Sequence, residues 1–132
     1  MSNGQLGDAH LCRIGDGHLL RPDAAAAFLA LDDVYTEEFG TGICVGDSYR
    51  SLSEQYVVNA QKPYLAASPG TSNHGWGLAL DLPCGADTFG GQAYQWLDEN
   101  GSDFGWHNPP WARAGGSKPE AWHWEFDPSL LD

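Results

Sequence analysis

Two short segments of this chain carry residues that bind metals and move protons. The first contains His74 and Asp81, and the second contains Glu120 and, three residues later, His123. Two histidines and one carboxylate are the ligands that a catalytic zinc ion takes when its fourth position stays open for water. A neighbouring glutamate can act as the general base for that water. The pattern predicts a hydrolase in which His74, Asp81 and His123 hold one Zn²⁺ ion and Glu120 is the base.

Two alternatives remain open at this stage. Two histidines and a carboxylate also suit several other transition metals, so zinc is a preference among them. Glu125 would share a strand face with His123 and therefore competes with Glu120 for the role of base. We favour Glu120 and expect Glu125 to support a metal ligand or to face the substrate.

The scaffold that must position these residues is predicted to be α+β, a small antiparallel sheet flanked by helices. Apolar spacing, a capping box at Ser51–Glu54 and terminal glycines predict three helices. They extend from about Pro22 to Gly40, from Ser51 to about Lys62–Pro63, and from about Gln92 to Asn100. Short strands are predicted at Ile43–Val45, 77–81 and Trp122–Phe126.

Strand parity predicts how the first segment forms its part of the site. Gly77, Ala79 and Asp81 would line one face of a strand, since residues two apart share a face. Leu80 would then pack into the core. His74 has the wrong parity for this face, so it must reach the metal from the loop that precedes the strand.

The second segment shows the same alternation. Trp122, Trp124 and Phe126 alternate with His123, so the aromatic side chains are expected to pack while His123 faces the site. Glu120 is expected in the turn that enters this strand.

The composition excludes some classes of function. Lys and Arg number 6 against 18 Asp and Glu, a net charge of −12, whereas nucleic-acid binding needs a basic surface. The length of 132 residues predicts a single domain spanning 1–132, and we expect a monomer. No apolar run reaches membrane-spanning length, so membrane insertion is not expected.

The three cysteines, Cys12, Cys44 and Cys84, contain no C-x-x-C pair, which disfavours a zinc site built from thiolates. One disulfide with a free thiol and three buried thiols remain equally open. Cys84 lies close after Asp81 but is not expected to be a ligand, because the nitrogen and oxygen set is already complete.

Three segments together resemble the M15 family of zinc peptidases, the D-alanyl-D-alanine carboxypeptidases and dipeptidases of the VanY and VanX type. The family pattern S-x-H-x-x-G-x-A-x-D is complete at Ser72–Asp81, and the pattern E-x-W-H is present at Glu120–His123. A further family element, tyrosine-arginine-serine after a strand, is matched by Tyr49–Ser51. The resemblance covers about Gly17 to Phe126 and implies the compact zinc D,D-peptidase (hedgehog/DD-peptidase-like) fold.

The resemblance also implies roles for individual residues. The ligands and the base would be the same four residues that their types suggest: His74, Asp81, His123 and Glu120. Arg50 would be catalytic and substrate-binding, since its guanidinium would polarise the scissile carbonyl and stabilise the oxyanion. Ser72 would contact the substrate.

The implied substrate is the stem peptide of bacterial peptidoglycan, with release of the terminal D-alanine as the first hypothesis. A lysin-type endopeptidase that cuts within the stem peptide or cross-link is the alternative. A non-catalytic, zinc-containing cell-wall binding module is disfavoured, because Glu120 and Arg50 are both present. We expect the protein to work in the cell envelope or outside the cell. Since the N-terminus lacks a signal-peptide pattern, it would be exported by another route, be a phage lysin, or be an excised domain or mature form.

Overall fold

The computed structural model describes residues 2–62 and 70–131 of the chain. In this part of the chain, five short strands and three α-helices are mixed along the sequence. The strands are β1 (Cys12–Gly15), β2 (His18–Leu20), β3 (Ala79–Asp81), β4 (Trp106–His107) and β5 (His123–Phe126). The helices are α1 (Pro22–Phe39), α2 (Leu52–Gln61) and α3 (Gln92–Asn100). The expected α+β class, with small antiparallel sheets beside helices, is confirmed.

The sheet that concerns function has the order β3-β5-β4, with antiparallel pairing throughout. Asp81 pairs with His123, and Leu80 pairs with Trp124. Because side chains alternate along a strand, one face of β3 and β5 carries polar residues while Leu80 and Trp124 enter the hydrophobic core. The predicted parity is therefore correct for the residues inside β3 and β5, whereas Gly77, predicted on the same strand, lies before β3 in the left-handed conformation.

Helix α1 provides the other wall of the core. Pro22 begins the helix, where a missing N–H costs nothing, and Gly40 ends it in the left-handed conformation at φ 76°. Phe28 and Leu31 are buried, and the ring of Phe28 packs edge-on against Trp106 of β4. Burial of side chains of this size contributes about 1.5–3 kcal/mol each. The predicted helix is confirmed, including its end at Gly40.

Helix α2 begins with the predicted capping box. The Ser51 hydroxyl accepts a hydrogen bond from the Glu54 N–H, and the Glu54 carboxylate accepts one from the Ser51 N–H. These reciprocal bonds satisfy N–H groups that a helix N-terminus leaves without partners. The helix ends at Gln61, and the position of Pro63, where the sequence predicted its end, lies outside the described residues.

The predicted strand Ile43–Val45 is wrong. This segment forms no strand; an isolated bridge to the sheet lies further on, between Asp47 and Asp81. The Cys44–Cys84 disulfide holds the segment instead, with a Cα–Cα distance of 6.0 Å. Cys12 is free and exposed, so the alternative of one disulfide plus a thiol is the correct one.

The antiparallel pair β1–β2 was missed. Its turn contains Asp16 and Gly17, both at positive φ. Asp-Gly is a strong hairpin signal, because both central residues of such a turn need this conformation. The sequence therefore contained a signal for this turn. The short strands on either side of the turn lack a clear alternation of apolar and polar residues.

Helix α3 has the predicted bounds, yet Gly101 does not adopt the left-handed conformation expected of a terminal glycine. A Cβ there would lie 2.7 Å from the Trp106 carbonyl oxygen, so close packing explains the glycine. The last strand begins at His123, one residue later than predicted. Within residues 2–62 and 70–131, no helix is long and apolar enough to cross a membrane.

Candidate metal centre and active site

Three side chains predicted as ligands come together on the polar face of the sheet. Asp81 ends β3 and His123 begins β5 directly opposite it. His74 reaches them from a 3-10 turn, Asn73–Trp76, that precedes β3, as its parity required. One donor atom from each of the three residues lies within 4.8 Å of the other two.

The spacing of the donor atoms fits a single small metal ion. Asp81 Oδ1 lies 3.3 Å from His74 Nε2 and 3.3 Å from His123 Nδ1. Two ligands about 2.1 Å from a tetrahedral zinc ion are about 3.4 Å apart. The two imidazoles and one carboxylate therefore match both the chemistry and the dimensions of a zinc site with an open fourth position.

The hydrogen bond on the far side of each imidazole selects the nitrogen available to a metal. His74 Nδ1 lies 2.8 Å from the backbone oxygen of Ser48, which can only accept, so Nδ1 carries the proton. His123 Nε2 lies 2.8 Å from a carboxylate oxygen of Glu125. Both rings thus direct their other nitrogen toward Asp81.

The ligands also shift one another's pKa values. Burial raises the pKa of Asp81, but hydrogen bonds from His123 and His74 outweigh burial and hold it well below its usual range. Burial likewise lowers the pKa of His123, while hydrogen bonds and charges of Asp81 and Glu125 raise it to about 9. In the absence of metal, the buried carboxylates therefore favour a protonated His123.

Glu120 lies in the turn before β5, as predicted, and its side chain lines the same cavity as the three potential ligands. Asn108 anchors this turn, because its side-chain amide donates to the backbone oxygens of both Glu120 and His123. Burial raises the pKa of the Glu120 carboxyl, although the charges of His123 and Lys118 oppose the shift. Glu120 is thus a buried carboxylate with an elevated proton affinity, which suits a general base.

Arg50 is held beside the ligands by two aspartates. Its Nη2 and Nε lie 2.5 Å and 3.1 Å from Asp47 Oδ2, and Nη2 lies 3.7 Å from Asp81 Oδ2. The backbone N–H of Arg50 also donates to the His74 carbonyl at 3.0 Å. The guanidinium therefore has a fixed position at the edge of the cavity, where Arg50 is only 8% exposed.

Ser72 lines the cavity and supports the turn that carries His74. Its hydroxyl accepts a hydrogen bond from the His74 N–H, and its backbone oxygen accepts one from the Asn3 side chain at 2.6 Å. A Cβ at Gly75 would lie 1.9 Å from Asn3 Oδ1, so the turn requires glycine there. The Ser72 hydroxyl accepts this hydrogen bond and can still donate its own proton. Its contact with a substrate stays a prediction.

The cavity has a volume of about 630 Å³, enough for a short peptide. Trp111 and Trp122 form aromatic parts of its wall, and the Trp111 ring lies 5.0 Å from that of His123. Trp122 is half-buried and faces the cavity, whereas Trp124 and Phe126 pack into the core. The expectation that all three aromatic residues of this segment pack inside is thus wrong for Trp122.

Two contributors to the site were missed in the sequence. Asp47 orients Arg50, and Lys118 lies 3.7 Å from Glu120. Asp47 stands three residues before Arg50 and could have been suspected as its partner. Lys118 lies in the irregular segment that follows the 3-10 helix Pro110–Ala112, and periodicity offers no information there.

A mixed helix-and-sheet scaffold that presents two histidines, one aspartate, a buried glutamate and a fixed arginine in one cavity is typical of metal-dependent hydrolases. A sequence model of the family described as "VanY: D-alanyl-D-alanine carboxypeptidase" matches residues 17–129, so this chain belongs to that family. The recognised resemblance is therefore confirmed.

A curated relative and two solved structures agree with this membership. A D-alanyl-D-alanine carboxypeptidase of Enterococcus faecalis (strain ATCC 700802 / V583) is 39% identical over 73 residues, covering 52% of this chain. The structure of VanYB in complex with D-alanine-D-alanine has a TM-score of 0.71 and 25% identity, over 88% of this chain and 76% of that one. The vancomycin-resistance D,D-pentapeptidase VanY in complex with Zn(II) has a TM-score of 0.68 and 27% identity, over 88% of this chain and 77% of that one.

The matched residues account for only 27% of the length of the Enterococcus faecalis relative. The fold similarity extends further, over 76% and 77% of the two solved chains.

Proposed function

We propose that this protein is a zinc-dependent peptidase that hydrolyses peptidoglycan peptides and acts as a D-alanyl-D-alanine carboxypeptidase. The observation that carries the proposal is the group His74, Asp81 and His123, whose donor atoms match the dimensions of one zinc site. Family membership and the similarity to a VanY structure that contains Zn(II) support the same metal. A neighbour that binds D-alanine-D-alanine supports the class of substrate.

His74, Asp81 and His123 would hold the metal through Nε2, Oδ1 and Nδ1. When bound, zinc supplies a Lewis acid beside the scissile carbonyl and lowers the pKa of water there to about 7. The carbonyl oxygen of Ser48 accepts a hydrogen bond from His74 Nδ1 and keeps that ring in the orientation this requires.

Glu120 moves the proton in this proposal. It accepts a proton from the attacking water and passes it to the leaving amine, so that water is added across the peptide bond. Burial raises the pKa of this carboxyl, which brings its proton affinity closer to that of the water it deprotonates. Glu125 is the weaker candidate for base, because its carboxylate is engaged with His123 Nε2, on the edge of the ring remote from the metal-facing Nδ1.

Arg50 stabilises charge that develops on the substrate. As the carbonyl carbon becomes tetrahedral, its oxygen gains negative charge, and a fixed guanidinium at the edge of the cavity can donate to it. Asp47 holds the guanidinium in place before substrate arrives, so no reorganisation is needed during the reaction. Ser72 lies beside His74 in the cavity and would contact the peptide.

The same residues could also hydrolyse a bond within the stem peptide or the cross-link, as a lysin-type endopeptidase would. Either activity would be exerted on the cell wall, so the proposed location is the cell envelope or the extracellular space.

Digestion of purified muropeptides by the zinc-loaded protein, followed by mass spectrometry, tests the proposal. A carboxypeptidase shortens pentapeptide stems by one alanine, and this is the expected result. Fragments from within the stem would establish the endopeptidase instead. Intact muropeptides, with zinc shown to be bound, would contradict both activities.

A further inference from the structure

Glu125 makes a contact that the reaction described above does not use. Its carboxylate Oε2 lies 2.8 Å from His123 Nε2, and only 17% of its side chain is exposed. Glu125 stands two residues after His123 on β5, so both side chains lie on the same face of the sheet. The carboxylate therefore contacts the edge of the imidazole ring opposite to the one that faces Asp81.

We propose that Glu125 is a positioning residue that fixes the His123 ring with its proton on Nε2, leaving the Nδ1 lone pair for the metal. This inference rests on the zinc site proposed above. A neutral imidazole can carry its proton on either nitrogen, and only the form protonated on Nε2 can bind a metal through Nδ1. A carboxylate can only accept from Nε2–H, so Glu125 selects that form.

The surroundings of Glu125 hold its carboxylate against the His123 ring. Glu125 pairs across the sheet with the small, fully buried Ala79 on β3 and with His107 on β4, and its carboxylate also accepts a hydrogen bond from the Asn73 side chain. Trp111 covers the same ring, with centroids 5.0 Å apart. The ring of His123 is thus held at its edge by Glu125 and at its face by Trp111.

The two histidines are supported by different acceptors. His74 donates to a neutral backbone carbonyl, that of Ser48, whereas His123 donates to a carboxylate. A carboxylate partner increases the basicity of the imidazole and hence its strength as a ligand, and loss of such partners typically costs 10–100-fold in metal affinity. We therefore expect zinc affinity to depend on Glu125 although it does not touch the metal.

The test compares Glu125→Ala and Glu125→Gln with the unsubstituted protein, and Glu99→Ala and Glu99→Gln serve as matched controls. Glu99 is exposed on α3, so these controls make the same chemical change away from the cavity. The first readout is the zinc dissociation constant, by competition with a chromogenic chelator. The second is the ¹⁵N spectrum of the His123 ring in the zinc-loaded protein, which reports the protonated nitrogen.

The proposal predicts that Glu125→Ala weakens zinc binding about 10–100-fold, while both Glu99 variants bind like the unsubstituted protein. Glu125→Gln should lose less, because its amide oxygen still accepts from Nε2–H. The Glu125→Gln variant should nonetheless bind zinc more weakly than the unsubstituted protein. If circular dichroism shows that Glu125→Ala is unfolded, the zinc affinity of Glu125→Gln tests the proposal in its place. Unchanged affinity in a folded variant, with an unchanged ring spectrum, would overturn the proposal. Failure of the unsubstituted protein to bind zinc would overturn the zinc site itself.

Discussion

Asp81 and His123 lie directly opposite each other on β3 and β5, with Asp81 Oδ1 3.3 Å from His123 Nδ1. The distance between these two potential ligands is therefore determined by the pairing of two strands. A shift of one residue in this register would turn one of the two side chains to the other face of the sheet. The core residues Leu80 and Trp124, which pair beside them, keep the register in place.

Replacement of Glu120 by Gln should abolish turnover while zinc stays bound. The amide keeps the size of the side chain but cannot accept the proton of water, and general base catalysis contributes about 10²–10⁴-fold. The measurement is kcat for D-alanine release together with metal content. Glu99→Gln on α3 is the control and should keep full activity. Full activity in the Glu120 variant would refute its assignment as the base.

Arg50→Lys should lower kcat about 10²–10³-fold with little change in zinc content. Lysine keeps the positive charge between Asp47 and Asp81 but lacks the planar fork that contacts Asp47 through two nitrogens. Loss of one donor to the oxyanion costs roughly 3–4 kcal/mol. Steady-state kinetics would show the effect in kcat, and a change confined to KM would argue that Arg50 only binds substrate.

Zinc affinity should rise with pH up to about 9, where the pKa of His123 lies in the metal-free protein. Burial lowers this pKa, but the hydrogen bonds and charges of Asp81 and Glu125 more than offset that effect. A ligand must be deprotonated, so below this pH each zinc ion displaces one proton and affinity falls about tenfold per pH unit. Competition titrations over a range of pH would show this slope. A plateau already reached near pH 6.5, the ordinary pKa of histidine, would contradict the expectation.

Loss of the Cys44–Cys84 disulfide should destabilise the protein by about 4 kcal/mol, because this bridge closes a loop with a sequence separation of 40. The double change Cys44→Ser and Cys84→Ser, measured by denaturant unfolding in the presence of a chelator, isolates this effect from zinc binding. Cys12→Ser removes the free, exposed thiol and should leave stability unchanged. Equal stability of the two variants would contradict a stabilising role for the bridge.

Much of the site could be predicted from the sequence because its geometry follows from strand parity. Alternation placed Asp81 and His123 on one face and excluded His74 from it, which led to the correct expectation of a ligand from the preceding turn. The capping box at Ser51 and the glycine at position 40 likewise defined helix ends through local hydrogen bonds and backbone conformation.

The contacts that could not be predicted join distant or irregular parts of the chain. Asn3 supports the turn of His74 across 69 residues, and nothing in local sequence reveals such a pair. Trp111 reaches His123 from a single 3-10 turn, Pro110–Ala112. The segment Ile43–Val45 has the composition of a strand, but only the tertiary structure shows that the bridge to the sheet forms further on, at Asp47.

In the proposed function, one zinc ion held by His74, Asp81 and His123 is required for peptide hydrolysis. Removing the metal with a chelator, titrating zinc back, and following D-alanine release from a pentapeptide ending in D-alanyl-D-alanine tests this requirement. We expect no release by the metal-free protein and a linear recovery that stops at one zinc ion per chain. Activity that survives removal of the metal, or that remains absent at one bound zinc ion per chain, would contradict it.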